Sequence, residues 1–268
     1  GSLVALASVV VAVITRDSFG GDEASVWEIL VGCCAAVAFC GLIGFLSGGL
    51  IAFCGLPPFI VTLAGMSIAR GLAFRWSKNE TISEFPSSFS KFSTDSNLMG
   101  IPNLVLLMAI LYVIAHLIMT RTTLGRWIYA VGGNREAARL SGVPVLGVLI
   151  LVYTASGALA GLGGVILASK LDAGSPLYGN MYELSVITAV VVGGTSLAGG
   201  EGKIFGTLIG ALIIAVINNG MNLMDIESFD QDIVLGFLIL AAVLIDAGKK
   251  KGLIRRAFRY VTRATSTS

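Results

Sequence analysis

A glycine-rich stretch at residues 193–203, which we call the glycine loop, contains the residue types of a phosphate-binding loop. A P-loop requires a glycine five residues before the glycine that precedes its lysine, and a serine or threonine directly after that lysine. The chain has Leu197 and Ile204 at those two positions. The glycine loop is therefore not predicted to bind ATP.

Polar side chains that could bind a small polar molecule lie in the apolar run that follows. Asn218, Asn219 and Asn222 are close together near its end, and amides donate hydrogen bonds to hydroxyl groups and accept them. The alternative is that they only cap a helix end. Another apolar run contains Arg70, which is interpreted equally well as a functional charge and as a side chain that extends to water.

The composition indicates that membrane-spanning elements position these residues. Of the 268 residues, 55% are hydrophobic and 13% are charged, and the mean hydropathy is +0.88. Such a balance leaves too little polar surface for a soluble globule. Only helices and closed barrels span lipid, and the long continuous runs favour helices. We therefore predict an all-α, polytopic transmembrane helical bundle.

Runs of about 20 apolar residues, the length that crosses a bilayer, give the predicted spans. The first run, residues 2–14, is too short, and the chain is expected to be truncated at its N-terminus. Further spans are predicted at 27–46, 59–76, 102–119 and 145–169, with a shorter last span at 233–245 and loops at 16–25, 77–100, 170–183 and 225–232. Gly157, Gly161 and Gly164 place small residues along one span, which predicts tight helix contact.

Residues 184–222 are the predicted translocation path. One short apolar piece ends at Gly193 and Gly194, and a second runs from Ile204 to about Asn218. The first piece could cross the membrane or re-enter from one side. Broken backbone is tolerated at membrane depth only where protein or a water-filled cavity surrounds it. The path candidates are Thr188, Gly193, Gly194, Thr195, Ser196, Asn218, Asn219 and Asn222.

A charged segment at residues 121–143, which we call the docking segment, separates two apolar runs. It is too polar to enter hydrocarbon and must lie on one face of the membrane. Gly132 and Gly133 break it, Asn134 is predicted to cap a new short helix, and Gly142 is predicted to end that helix. We interpret the segment as a docking element for a soluble partner.

The short helix has its charges where the helix dipole favours them, because Glu136 is in its first turn and Arg139 is toward its other end. Ala137, Ala138 and Leu140 are predicted to form an apolar flank. The alternative is an ordinary cytoplasmic loop whose basic residues only obey the orientation rule. The small helix, capped at both ends and offering side chains on both faces, favours docking.

Basic residues set the predicted orientation, with the docking segment and the basic tail at 248–268 in the cytoplasm. Twelve then lie on the cytoplasmic side: Arg121, Arg126, Arg135, Arg139, Lys203, Lys249, Lys250, Lys251, Arg255, Arg256, Arg259 and Arg263. Five lie outside: Arg16, Arg75, Lys78, Lys91 and Lys170. If the short apolar piece that ends at Gly193 and Gly194 re-enters the membrane, Lys203 no longer lies on the cytoplasmic side. The side predicted for every other segment stays the same.

Several motifs together resemble the permease subunits of the ribose, xylose and galactose class of ABC importers. The motifs are Gly132-Gly133-Asn134 with 137–142, Tyr182-Glu183-Leu184, the run GGTSLAGGEGKIFGTLIGAL at 193–212, and Asn218-Asn219-Gly220. The likeness extends over essentially the whole chain. It implies a single permease domain over 1–268, located in the cell inner membrane with a cytoplasmic C-terminus.

The resemblance also implies partners. In that family the permease forms a dimer, a periplasmic sugar-binding protein docks outside, and a separate ATPase docks on the cytoplasmic helix, which matches 134–141 here. The residues implied to couple to the ATPase are Gly133, Asn134, Arg135, Glu136, Ala137, Ala138, Arg139, Leu140, Ser141 and Gly142. The transported solute would be a ribose-like or other simple monosaccharide, and the sequence does not identify which.

The competing class is a self-sufficient secondary transporter or channel for a small polar solute. Such a protein normally has carboxylates or histidine at mid-membrane, whereas Glu28, Glu183 and Asp246 lie near the ends of predicted spans. No paired carboxylates, metal-ligand cluster or Ser-His arrangement predicts an intramembrane enzyme. We therefore predict a transport subunit with no catalytic residue, no cofactor and no bound metal.

Overall fold

The computed structural model describes residues 1–19, 26–83, 85–86, 89, 96–98 and 100–250. The helices are α1 (Ser2–Phe19), α2 (Val26–Phe53), α3 (Pro58–Trp76), α4 (Asn103–Arg121), α5 (Thr123–Gly133), α6 (Arg135–Leu140), α7 (Val145–Leu171), α8 (Tyr182–Val192), α9 (Ile204–Leu223) and α10 (Ser228–Lys250). The strands are β1 (Ile82–Ser83), β2 (Ser96–Leu98), β3 (Ile101–Pro102) and β4 (Ala173–Gly174). From residue 251 onward, the predicted basic tail lies outside the described residues.

Four helices in the described part of the chain are long and apolar enough to cross a membrane. They cover Trp27–Phe53, Asn103–Arg121, Val145–Leu171 and Ile204–Leu223. Their outward-facing apolar side chains, such as Phe45 and Leu159, are exposed, as lipid-facing residues would be in a protein without its bilayer. The predicted fold class, an all-α transmembrane bundle, is confirmed.

The chain divides into two compact units. The first comprises Gly1–Val113 with Glu136–Tyr182. Leu6, Val9 and Val11 are fully buried on α1, which packs against α2, α3 and α7. The first apolar run, although shorter than a span, therefore supplies more buried core residues to this unit than any other helix does.

Close packing in the first unit depends on glycine. A Cβ on Gly157 of α7 would overlap the backbone carbonyl of Cys40 on α2, and one on Gly161 would lie 2.9 Å from the Cβ of Cys40. A Cβ on Gly164 would overlap the carbonyl of Val4 on α1. The predicted tight helix contact at these three glycines is confirmed, since small residues let helix backbones approach closely in lipid.

Several predicted boundaries were wrong. Helix α1 continues through Arg16 to Phe19, α2 continues past residue 46 through Gly48 and Gly49, and α10 begins at Ser228. Gly48 lies inside α2, and a Cβ there would lie 2.9 Å from the Cα of Ile150 on α7, so only glycine allows this close approach. It is a packing residue within a continuous helix.

The predicted loop at 77–100 contains short strands in its described parts. Ile82 pairs with Gly174, so β1 and β4 form a small antiparallel sheet. Strands β2 and β3 form a second one. These two- and three-residue pairings connect polar loops and do not change the helical class.

Candidate functional site

Helix α5 begins at a tight turn after α4. The Thr122 hydroxyl caps it by accepting a hydrogen bond from the Gly125 N–H at 3.3 Å, and the same hydroxyl donates to the Ile118 carbonyl at 2.7 Å. Gly125 is buried, and a Cβ there would overlap the Met119 carbonyl. This glycine therefore sets the angle at which α5 leaves the end of α4.

Asn134 separates α5 from α6. Its backbone is extended, with φ −155° and ψ 105°, and its N–H donates to the Ala130 carbonyl at 3.0 Å. Asn134 thus ends α5 and precedes Arg135, the first residue of α6, with the backbone geometry of an N-cap. The predicted break after Gly133 and the start of a new helix are present.

Gly142 ends α6 in a Schellman motif. Its φ is +81°, its N–H donates to the Arg139 carbonyl at 3.0 Å, and the Val143 N–H donates to the Ala138 carbonyl at 3.0 Å. Glycine adopts this left-handed conformation at little steric cost because it has no Cβ. The predicted stop at Gly142 therefore has its expected geometry.

Helix α6 is exposed along most of its surface. Glu136 and Arg139 form an ion pair at 3.4 Å, with side chains 72% and 69% exposed. Leu140 is 83% exposed, whereas Ala138 is 4% exposed. Of the three residues predicted to form an apolar flank, Ala138 is buried, whereas Ala137 and Leu140 are exposed.

The glycine loop begins where α8 ends. Gly194, with φ +87°, closes α8 in a second Schellman motif, because the Thr195 N–H donates to the Val190 carbonyl at 3.1 Å. Ser196 is buried, its hydroxyl accepts from the Ala198 N–H at 3.3 Å, and its N–H donates to the Glu201 carbonyl at 3.1 Å. The loop is thus a closed turn with an internal hydrogen-bond pattern.

Helices α8 and α9 touch through their backbones. A Cβ on Gly193 would overlap the Gly206 carbonyl, and one on Gly210 would overlap the Ala189 carbonyl. Thr188 on α8 is fully buried, and its hydroxyl donates to the Leu184 carbonyl in its own helix at 2.7 Å. Gly193 therefore serves as a packing residue, and the Thr188 hydroxyl is already engaged.

The glycine loop packs against the C-terminal end of α5. A Cβ on Gly132 would lie 2.9 Å from the Gly200 nitrogen, and a Cβ on Gly199 would overlap the Gly132 carbonyl. The Tyr129 hydroxyl donates to the Gly202 carbonyl at 2.8 Å. Residues predicted separately as docking segment and path are in direct contact here.

The three asparagines lie well away from the glycine loop. Asn218 is 14 residues beyond Ile204, which is roughly 20 Å along α9 at 1.5 Å per residue. Its Oδ1 is buried and has no hydrogen-bond partner among the described residues. The Asn222 Oδ1 accepts from the Gln231 Nε2 at 2.8 Å, and Asn219 is exposed. The path candidates thus form two groups.

Residues 1–243 match the protein family described as branched-chain amino acid transport system / permease component. The chain belongs to this permease family. As a permease component of a transport system, it is a transport subunit and not an enzyme, and it works with other components. It is also a multi-pass membrane protein.

Three relatives are sugar permeases of Escherichia coli (strain K12). The ribose import permease protein RbsC is 42% identical over 254 residues, which are 93% of this chain and 76% of RbsC. The D-allose transport system permease protein AlsC is 37% identical over 92% of this permease and 73% of AlsC. The L-arabinose transport system permease protein AraH is 38% identical over 93% of this permease and 74% of AraH. No solved structure matches the chain.

The resemblance to sugar-importer permeases is confirmed by these relatives. Among the described residues of the permease, no three His, Cys, Asp or Glu side chains lie where they could together hold a metal ion.

Two residues of the permease have partners that the sequence did not predict. Tyr129 was not among the predicted site residues, because no sequence pattern distinguishes a functional tyrosine in an amphipathic helix from one that only packs. Arg70 had two interpretations, and the structure shows its Nη1 donating to the carbonyls of Pro176 at 2.8 Å and Tyr178 at 3.3 Å. Burial raises the pKa of the Tyr178 phenol. Arg70 thus binds the backbone of the loop between β4 and α8.

Proposed function

We propose that this permease is the membrane subunit of an ATP-driven importer that forms the translocation path for a monosaccharide. A separate ATPase supplies the energy, and a periplasmic binding protein delivers the sugar. The observation that carries the proposal is α6, a helix fixed at both ends that exposes an apolar side chain and an ion pair. Such a helix has little to contribute to the stability of an isolated chain.

The exposed surface of α6 suits a protein partner. Leu140, 83% exposed, offers apolar area for a pocket, and Arg139 and Glu136 offer charges at the rim. Interfaces commonly combine a small apolar centre with polar groups around it. We assign this surface, with the flanking residues of 133–142, to the ATPase subunit.

Movement of α6 would reach the path through the chain itself. Asn134 connects α6 to α5, and α5 contacts the glycine loop, which leads directly into α9. Nucleotide binding shifts the permease between two conformations only if the ATPase contacts α6 differently in each. The exposed charges and Leu140 supply groups for such differential contacts.

The test is to reverse one charge and to replace the apolar side chain on α6 in the complete importer complex. Arg139→Glu and Leu140→Asp are each expected to weaken association with the ATPase subunit and to abolish the ATPase stimulation caused by sugar-loaded binding protein. Both side chains are exposed, so the fold is expected to persist. Affinity capture of the ATPase and phosphate release are measured together.

Lys170→Glu is the matched control. Lys170 is also exposed and belongs to the same compact unit as most of α6, but it lies at the C-terminal end of α7. The same charge change there should leave capture of the ATPase intact. If the α6 variants captured and stimulated the ATPase as well as wild type does, the docking assignment would be wrong.

The proposed substrate is a simple sugar such as ribose. The relatives are named for the import of ribose and the transport of D-allose and L-arabinose, and these names support a monosaccharide as the transported solute. Uptake of labelled ribose into vesicles containing the complete complex, competed with allose, arabinose or leucine, tests the substrate class. Competition by leucine and not by any sugar would contradict the proposal.

We further propose that the permease works as a homodimer in the inner membrane, with its C-terminus and docking segment in the cytoplasm. The distribution of Lys and Arg supports this orientation. Single cysteines introduced at Arg139 and at Lys78, in a background without the four native cysteines, should be labelled by a membrane-impermeant maleimide from opposite sides. Labelling of position 139 from the periplasmic side would overturn the orientation.

A further inference from the structure

The contact between α5 and the glycine loop is made almost wholly of backbone. Gly132 and Gly133 lie against Gly199 and Gly200, and a Cβ on Gly200 would lie 2.7 Å from the Gly133 Cα. Both loop glycines have positive φ, +84° and +75°. Any other residue there would be strained and would also collide with α5. Helix α5 and the glycine loop therefore touch without an intervening layer of flexible side chains.

One side chain fixes the register of this contact. The Tyr129 phenol, half-buried on α5, donates to the Gly202 carbonyl across 2.8 Å. Gly202 is two residues before Ile204, the first residue of α9. The four glycines have no side chains that interlock. Without this hydrogen bond, no side chain would therefore hold α5 in one position along the glycine loop.

We propose that Tyr129, with the glycines at 132–133 and 199–200, forms the joint that transmits movement of the docking segment to the translocation path. This proposal rests on the proposed function, since it assigns the route by which ATPase docking acts. Tyr129 is a positioning residue that acts through the Gly202 carbonyl and the start of α9. The backbone contact between α5 and the glycine loop transmits a displacement of α5 to the loop. The hydrogen bond from Tyr129 to Gly202 keeps α5 and the loop at the same relative position during that displacement.

The position of Tyr129 along the chain supports this role. It is one helical turn and a little more before Asn134, where α5 ends and α6 follows. A displacement of α6 that moves Asn134 also moves the end of α5 that bears Gly132 and Gly133. The glycine loop that receives it connects α8 to α9, the two helices whose own contact depends on Gly193 and Gly210.

Tyr129→Phe in the complete complex tests the joint, because it removes only the hydroxyl and keeps the ring. The expected result is an intact complex that captures the ATPase and is stimulated by loaded binding protein. Its sugar transport per ATP hydrolysed should fall by about 5-fold, the factor that the loss of one hydrogen bond corresponds to. A residue with a merely structural role would lower stability or assembly and leave this ratio unchanged.

Tyr112→Phe is the matched control. Tyr112, on α4, has no hydrogen bond from its hydroxyl among the described residues, so its variant should keep the wild-type ratio. A wild-type ratio in Tyr129→Phe, or a loss of assembly, would overturn the joint. Failure of the wild-type complex to couple ATP hydrolysis to sugar uptake would instead overturn the proposed function. The two failures are thus distinguishable.

Discussion

The adjacent glycines at the end of α5 allow a sharp test of the packing between α5 and the glycine loop. Both Gly132 and Gly133 belong to the helix, so replacing either with alanine changes helix propensity by a similar amount. Their surroundings differ. A Cβ on Gly132 meets the Gly200 nitrogen at 2.9 Å, whereas a Cβ on Gly133 meets only the Gly200 Cα, at 3.8 Å. Gly133→Ala is therefore a matched control for Gly132→Ala.

The expected size of the effect follows from these distances. Ordinary contacts of a methyl carbon begin near 3.5 Å, so Gly132→Ala forces the Gly200 backbone to move by about half an ångström. Overpacking of this kind costs about 1–3 kcal/mol. Alanine recovers up to about 1 kcal/mol of helix propensity in both variants. The difference between the two variants should therefore be about 1–3 kcal/mol, with Gly132→Ala the less stable.

Thermal unfolding of the purified permease, followed by circular dichroism in detergent, measures this difference. At about 2–4 °C per kcal/mol for a chain of this size, Gly132→Ala should melt several degrees below Gly133→Ala. Hydrogen exchange of the glycine loop should also be faster in Gly132→Ala only. Equal melting temperatures for the two variants would refute the claim that α5 and the loop touch at Gly132.

Two further pairs of variants test other contacts. A Cβ on Gly44 of α2 would overlap the backbone of α7, whereas Gly49 has nothing within 4 Å; Gly44→Ala should thus lower the melting temperature and Gly49→Ala should not, and equal values would contradict the helix packing. Arg70→Ala would leave the carbonyls of Pro176 and Tyr178 without their donor, a loss of about 1–3 kcal/mol. Arg70→Lys, which keeps a charged donor nitrogen without the planar guanidinium, should recover part of that stability in the same assay. If Arg70→Ala melted at the wild-type temperature, the hydrogen bonds from Arg70 to Pro176 and Tyr178 would not stabilise the loop between β4 and α8.

The class of the protein and the positions of most helices could be predicted from the sequence. Apolar runs long enough to cross lipid have few alternatives, because every backbone polar group in a membrane must be paired within the protein. The short helix α6 was equally predictable. Asn134 and Gly142 have local backbone preferences that act whatever surrounds them, and both hold the expected conformations.

Glycine was the main source of error. The predicted span 27–46 stops just before Gly48 and Gly49, but α2 continues through both glycines, and Gly48 packs against α7. A glycine in a membrane segment can break a helix or let another helix approach, and its own neighbours in sequence do not distinguish these roles. Likewise, the sequence did not show that Ala138 would be buried and Leu140 exposed, since exposure depends on what lies around each side chain.

The sequence by itself determined that this chain is a membrane bundle with a charged segment between two spans and a glycine-rich break between two apolar pieces, because composition, run length and capping residues are local properties. Only the tertiary structure decided that the docking segment and the break meet. Tyr129 and Gly202 are 73 positions apart and joined by one hydrogen bond. The glycines between which α5 and the loop pack have no side chains, and so they leave no hydrophobic pattern from which their contact could be predicted.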